Sequence, residues 1–176
     1  MTLVGHSLVG IALAAVASSP KWTWKEWAVS IPAFMFLANA PYAPLPGWGH
    51  DRYEVSHSLF VTVFCVAILF ALHLIARKFF VGYKVSSRVA LAVCTAWISH
   101  IVLDSFYGHG KGIKVMWPFG EGRLNFPIPW FEILGTPPVW TSMHSAKVFA
   151  IEFACYAPIT VLCLILAIRR RKDLRL

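Results

Sequence analysis

Leu59-Phe60-Val61-Thr62-Val63-Phe64-Cys65-Val66-Ala67-Ile68-Leu69-Phe70-Ala71-Leu72-His73-Leu74-Ile75-Ala76 runs for eighteen residues without an Asp, Glu, Lys or Arg. Crossing a bilayer takes about 20 predominantly apolar residues. The stretch therefore reads as a transmembrane helix, and it makes lipid the solvent around which the other segments must be arranged. Four more apolar stretches flank it, at about 3–18, 27–40, 89–106 and 148–168. The stretches at 59–76, 89–106 and 148–168 are long enough to span. The first is short. The second carries Pro32 and runs into the Pro-rich segment Pro41 to Pro46, which predicts a kink or a partly re-entrant course.

Composition agrees. Hydrophobic residues make up 58% of the 176-residue chain and charged residues 14%, against about 25% charged in an average soluble domain. Mean hydropathy is +0.64. The length suits one domain over residues 1–176. Cys65, Cys94, Cys155 and Cys163 all sit inside apolar runs with no CxxC pair, and they read as small hydrophobes. Ala15-Val16-Ala17 resembles a signal-peptidase site, but no Lys or Arg precedes the first apolar run. That run is expected to be retained as a helix.

The net charge of +8 is explained by where the cations fall. With five spans and the N-terminus outside, Lys21, Lys25, Arg77, Lys78, Lys84, Arg88, Arg169, Arg170, Arg171, Lys172 and Arg175 all fall on the inner side. Arg52, Lys111, Lys114, Arg123 and Lys147 fall outside. Cytoplasmic loops carry the excess of Lys and Arg, so the distribution predicts an all-α, five-helix bundle, N-out and C-in. These cations are topology anchors and not a nucleic-acid patch. The predicted outer loop, 107–147, is rich in aromatics, Gly and Pro and is expected to lie in the interface. Tyr107-Gly108-His109-Gly110-Lys111-Gly112 matches no P-loop pattern.

In this arrangement His6, His50, His57, His100, His109 and His144 occupy the outer half, as do Asp51, Glu54, Asp104, Glu121, Glu132 and Glu152. Ionisable groups at membrane depth are costly and mark function. His100 and Asp104 are four apart and share a helix face. The spacing suits two ligands of one metal, or a ligand and the carboxylate that orients it; a buried His–Asp bond pinning two helices is the plainer reading. Gly49-His50-Asp51-Arg52-Tyr53-Glu54-Val55-Ser56-His57-Ser58 is a polar island. Within it Ser56 reads as an N-cap and His57 opens the third helix. His6 stands level with His57 and His100. Glu152, about one turn inside helix five, needs a cation, a donor or a proton, and Arg123 or Lys147 are candidate partners. His73 lies apart, in the inner half, and reads as structural.

Met1-Thr2…His6, His57-Ser58, His100…Leu103-Asp104 and Trp117-Pro118-Phe119 together resemble the membrane-bound metal-dependent hydrolase family, also described as LexA-binding, inner-membrane-associated hydrolases. The resemblance runs through most of the chain. It implies a bacterial-type inner (plasma) membrane protein with a metal site; the cation bias adds the expectation of a cytoplasmic C-terminus and of a site near the outer face. One departure stands out: in Asn39-Ala40-Pro41-Tyr42-Ala43-Pro44, Tyr42 stands where the family carries an Asp.

The first functional expectation is thus a metal-dependent hydrolase. His6, His57, His100 and Asp104 are the expected ligands, zinc the expected ion, Asp51 or Glu152 the base and His50 a proton-transfer aid. A lipid or lipid-linked phosphoester is the expected substrate, and membrane lipids and membrane proteins the expected partners. The second is a non-catalytic accessory or scaffold subunit, favoured by Tyr42 and by the aromatic outer surface. Transport is a third, opposed by the shortage of polar residues in the inner half of the helices.

Overall fold

The computed structural model describes residues 1–43, 55–82, 85–108, 112–134 and 139–173. Among them are five α-helices: α1 (Leu3–Ala17), α2 (Trp24–Asn39), α3 (Leu59–Phe79), α4 (Ser87–Asp104) and α5 (Met143–Asp173). A 3-10 turn, Ala40–Tyr42, closes α2. The all-α bundle is as the apolar pattern predicts, with boundaries shifted by local chemistry. Thr23 caps α2 through a capping box with Glu26, so the helix starts three residues ahead of the apolar run. α5 begins five residues early because Met143 to Lys147 is polar and still helical. α2 is continuous through Pro32.

Three helices, α3, α4 and α5, are long and apolar enough to cross a membrane. At 1.5 Å per residue α1 reaches about 22 Å, short of the roughly 30 Å hydrocarbon core. It nonetheless occupies the centre of the bundle, in contact with α2, α4 and α5. Small residues make this possible, since without bulk the backbones close up. Gly5, Gly10, Ala12, Ala14, Ala15 and Ala17 of α1 are all buried. A Cβ on Gly10 would lie 2.7 Å from the Phe34 carbonyl oxygen, so α1 and α2 meet there backbone to backbone. Ala14, Ala17, Phe34, Ala38, Ala92 and Ala96 form the packed layer below.

α3 is peripheral. Its only helix neighbour among the described residues is α4, and only Thr62 and His73 on it are buried. His73 faces the Ser87 hydroxyl at 3.4 Å, a contact between helices that suits its structural reading. Val63, Phe64, Leu72 and Ile75 are exposed, as a lipid-facing helix requires.

The first turn of α1, the last turn of α4 and the start of α3 share one end of the bundle. The segment after α4 is tied to that end by backbone bonds. Phe126 N–H donates to Ser105 O and Ile128 N–H to Phe106 O, each at 2.8 Å, and Leu59 N–H donates to Val115 O at 2.9 Å.

Candidate metal centre

Asp104 ends α4 with its carboxylate fully buried, and three imidazoles come to it. His6 Nε2 lies 3.1 Å from Oδ1; His57 Nε2 and His100 Nε2 lie 3.3 and 3.4 Å from Oδ2. His57 Nε2 and His100 Nε2 are 3.2 Å apart. The rings of His6 and His100 stack at 3.9 Å. All four side chains are buried.

Three elements present the four groups. The helical four-residue spacing points His100 and Asp104 the same way. His6 sits one turn into α1, whose N-cap is Thr2. His57 belongs to the turn that precedes α3, and Ser58 caps that helix by accepting from Phe60 N and Val61 N. This corrects two expectations. His57 stands just outside the helix, and Ser58 is the cap in place of Ser56. The Ser56 hydroxyl instead meets His57 Nδ1 at 2.9 Å, next door in sequence to the ring it orients.

Hydrogen bonding fixes the His100 tautomer. Its Nδ1 lies 2.7 Å from the Ala38 carbonyl oxygen, which can only accept, so Nδ1 carries the proton. In the neutral ring the Nε2 lone pair then faces Asp104 and His57. Lone pairs aimed at one another at such distances call for a proton or a cation between them, and a second hydrogen bond on the far ring nitrogen is the usual support of a metal-bound histidine.

Ligand atoms of His6, His100 and Asp104 lie within 4.8 Å of one another, a group able to hold a metal ion. His57 touches two of its members from the Oδ2 side. His6 Nδ1 is buried with no hydrogen-bond partner among the described residues. Imidazole nitrogens with one carboxylate are a donor set for a divalent transition metal, so the residues fit the ion that the sequence implies.

Two further groups bear on Asp104. The Met1 amino group is 2.8 Å from Oδ1. The Tyr42 hydroxyl lies 2.9 Å from Oδ2 and 2.8 Å from the Met1 carbonyl oxygen. Burial raises the Tyr42 phenol well above its usual pKa, and the charge and hydrogen bond of Asp104 push the same way. The phenol is therefore a neutral donor to the carboxylate.

Glu152 is fully buried on α5, and its donors come from α1. Thr2 N–H donates to Oε1 at 2.7 Å, Gly5 N–H to Oε2 at 3.1 Å, and the Thr2 hydroxyl also binds Oε2. A carboxylate at a helix N-terminus satisfies orphan N–H groups and complements the dipole. The two expected cations are engaged elsewhere: Lys147 bonds Glu132 at 2.6 Å, and Arg123 donates to Gly112 O at 3.1 Å.

The remaining ionisable residues divide. His50, Asp51, Glu54 and His109 lie outside the described residues. His144 meets Glu132 at 3.3 Å, and Glu121 meets Lys114 at 2.9 Å. The hydrogen bond from Lys147 holds the exposed Glu132 carboxyl below its ordinary pKa. Those pairs include no residue of the centre. Ala38 O, Ser56 and Thr2 are the supports that sequence reasoning missed. Only Ser56, adjacent to His57, left a readable signal.

No curated protein matches the chain, and no solved structure does. A family match does exist and covers residues 1–172, every residue of the centre included. With the helices and the buried His/Asp group, that match makes this a multi-pass inner-membrane protein. The chain belongs to the YdjM inner membrane protein family, in agreement with the inner-membrane, hydrolase-like resemblance read from its sequence.

Proposed function

We propose that the protein is a metal-dependent hydrolase of the inner membrane, with its centre at the outer face and a lipid or lipid-linked phosphoester as substrate. The observation that carries this reading is the convergence of His6, His57 and His100 on Asp104, with the Ala38 carbonyl fixing one ring. His6, His57, His100 and Asp104 would hold the ion, and zinc suits a set of nitrogen donors with one carboxylate. The ion supplies Lewis acidity towards water and towards a phosphoryl or acyl oxygen.

The chain's own groups do the rest. Ala38 O and Ser56 hold the rings in place. Asp51 is the general base and His50 relays its proton, both in the segment that precedes His57. Glu152 serves by fixing the turn that carries His6. The outer-face assignment is supported by the eleven of sixteen cations that an N-out, C-in arrangement puts inside. The substrate class is supported by the position of the centre at one end of the bundle, where lipid headgroups would meet it.

Elemental analysis of the purified protein, beside His57→Ala and His100→Ala, tests the metal. One equivalent of ion in the wild type, lost in both variants, supports the proposal. Wild-type protein prepared without chelators and carrying no stoichiometric metal overturns it.

A second reading is favoured by Tyr42, whose phenol occupies Asp104 where a second carboxylate is expected. Here the centre is structural, and the protein is an accessory subunit that keeps the fold. Under it, a co-purifying membrane partner persists in His100→Ala.

A further inference from the structure

At the end of the bundle opposite the metal centre, a cavity of about 740 Å³ opens between the α1–α2 turn, the first two turns of α2 and the start of α4. Its size falls in the range of small-molecule sites, roughly 300–1,000 Å³. Two kinds of surface line it. Lys21 and Lys25 give it a cationic rim, with Trp22 beside them; Val29 and Val89 give it an apolar wall.

Glu26 also lines the cavity; its Oε2 is turned to the capping box, accepting from Thr23 N at 2.6 Å and from the Thr23 hydroxyl at 2.8 Å, and its single negative charge is outnumbered by the two lysines. The Ser86 hydroxyl accepts from Val89 N at 3.3 Å and caps α4. The valines lie within the first two turns of α2 and α4, and the lysines lie at or before the start of α2. Charge is therefore offered at the end of the bundle and apolar contact within the first two turns further in.

We propose that this cavity binds an anionic phospholipid, with its phosphate against Lys21 and Lys25 and an acyl chain along Val29 and Val89. An inorganic anion or a nucleotide would leave the valine wall wet. A zwitterionic lipid would set its own cation against the lysines. Basic pockets between transmembrane helices recognise anionic headgroups by this combination, and a tryptophan at the rim suits the interface. The site is separate from Asp104 and its histidines and does not rest on the hydrolase reading. Its occupant wedges α2 against α4 at the end remote from the metal.

The test is native mass spectrometry of the purified full chain in detergent, supplied with dioleoyl phosphatidylglycerol or dioleoyl phosphatidylcholine. The wild type is expected to retain one phosphatidylglycerol in preference to phosphatidylcholine. Lys21→Gln and Lys25→Gln should each weaken that preference about fivefold. A control pair, Lys78→Gln with Lys172→Gln, removes the same charge from the same end outside the cavity and should leave the preference intact. These substitutions are on exposed side chains, and unchanged thermal unfolding confirms folding. Equal retention of the two lipids by the wild type overturns the proposal. So does a preference that survives in the Lys21→Gln/Lys25→Gln protein, or one that the control pair lowers as much.

Discussion

The ring of His100 donates its Nδ1–H to the carbonyl of Ala38 over 2.7 Å, and this bond between α4 and the last turn of α2 decides which nitrogen is offered to Asp104. Ala38 belongs to the buried alanine layer where α1, α2 and α4 pack. The orientation of one candidate ligand is thereby built into the packing of the bundle.

A hydroxyl on the far nitrogen of a ligating ring is a tunable support. Ser56→Ala should lower metal affinity about 10- to 100-fold without abolishing stoichiometric binding at saturating ion. Competition against a chelator measures it, and an unchanged affinity would show that Ser56 does not orient His57.

Tyr42 offers the complementary experiment. Tyr42→Asp puts a second carboxylate beside Asp104, which in the metal-free protein sets two anions together and in the loaded protein adds an anionic ligand. We expect a lower melting temperature without metal and a larger rise on adding zinc than the wild type gives, as linkage demands. Tyr42→Phe should change the metal-dependent rise little. Thermal unfolding with and without zinc reads both.

Glu152 accepts three bonds from the start of α1. Glu152→Ala leaves those buried donors without an acceptor and should cost about 2–4 kcal/mol. Glu152→Gln keeps a carbonyl oxygen in place and should recover part of the loss. Unfolding of the detergent-solubilised protein separates the two, and equal losses would show that the charge, not the acceptor geometry, holds the turn.

At Gly10 α1 and α2 meet backbone to backbone. Gly10→Val should drive the helices apart at Phe34, costing about 1–3 kcal/mol, while Gly82→Ala, with open space around it but a φ of +90°, is limited to local backbone strain. The melting temperatures should fall in that order.

The N-out, C-in arrangement can be read by labelling in intact cells. With the native cysteines replaced, Ser142→Cys should react with an impermeant maleimide and Asp173→Cys should react only after lysis. The opposite pattern would invert the topology.

Much of this was legible in the sequence because membrane helices write themselves in long apolar runs, as at 59–76. The convergence of His6, His57 and His100 on Asp104 was legible because His and Asp within or beside apolar runs are rare enough to stand out. What could not be read was supplied by chain segments far apart. The Ala38 carbonyl has no side-chain signature, and the partnership of Glu152 with Thr2 spans 150 positions. α1 is another case: fifteen residues look too few for a span, yet small side chains let it sit where three helices shield it.

That same partnership orders events during synthesis. The turn bearing His6 leaves the ribosome before the carboxylate that secures it, which is made about 150 residues later, roughly 7–30 s at 5–20 residues per second. For that interval the nascent chain carries α1, too short to span on its own, with its opening N–H groups waiting. The centre therefore matures only after α5 has been delivered, and a chain halted before α5 is left with a candidate ligand it cannot aim.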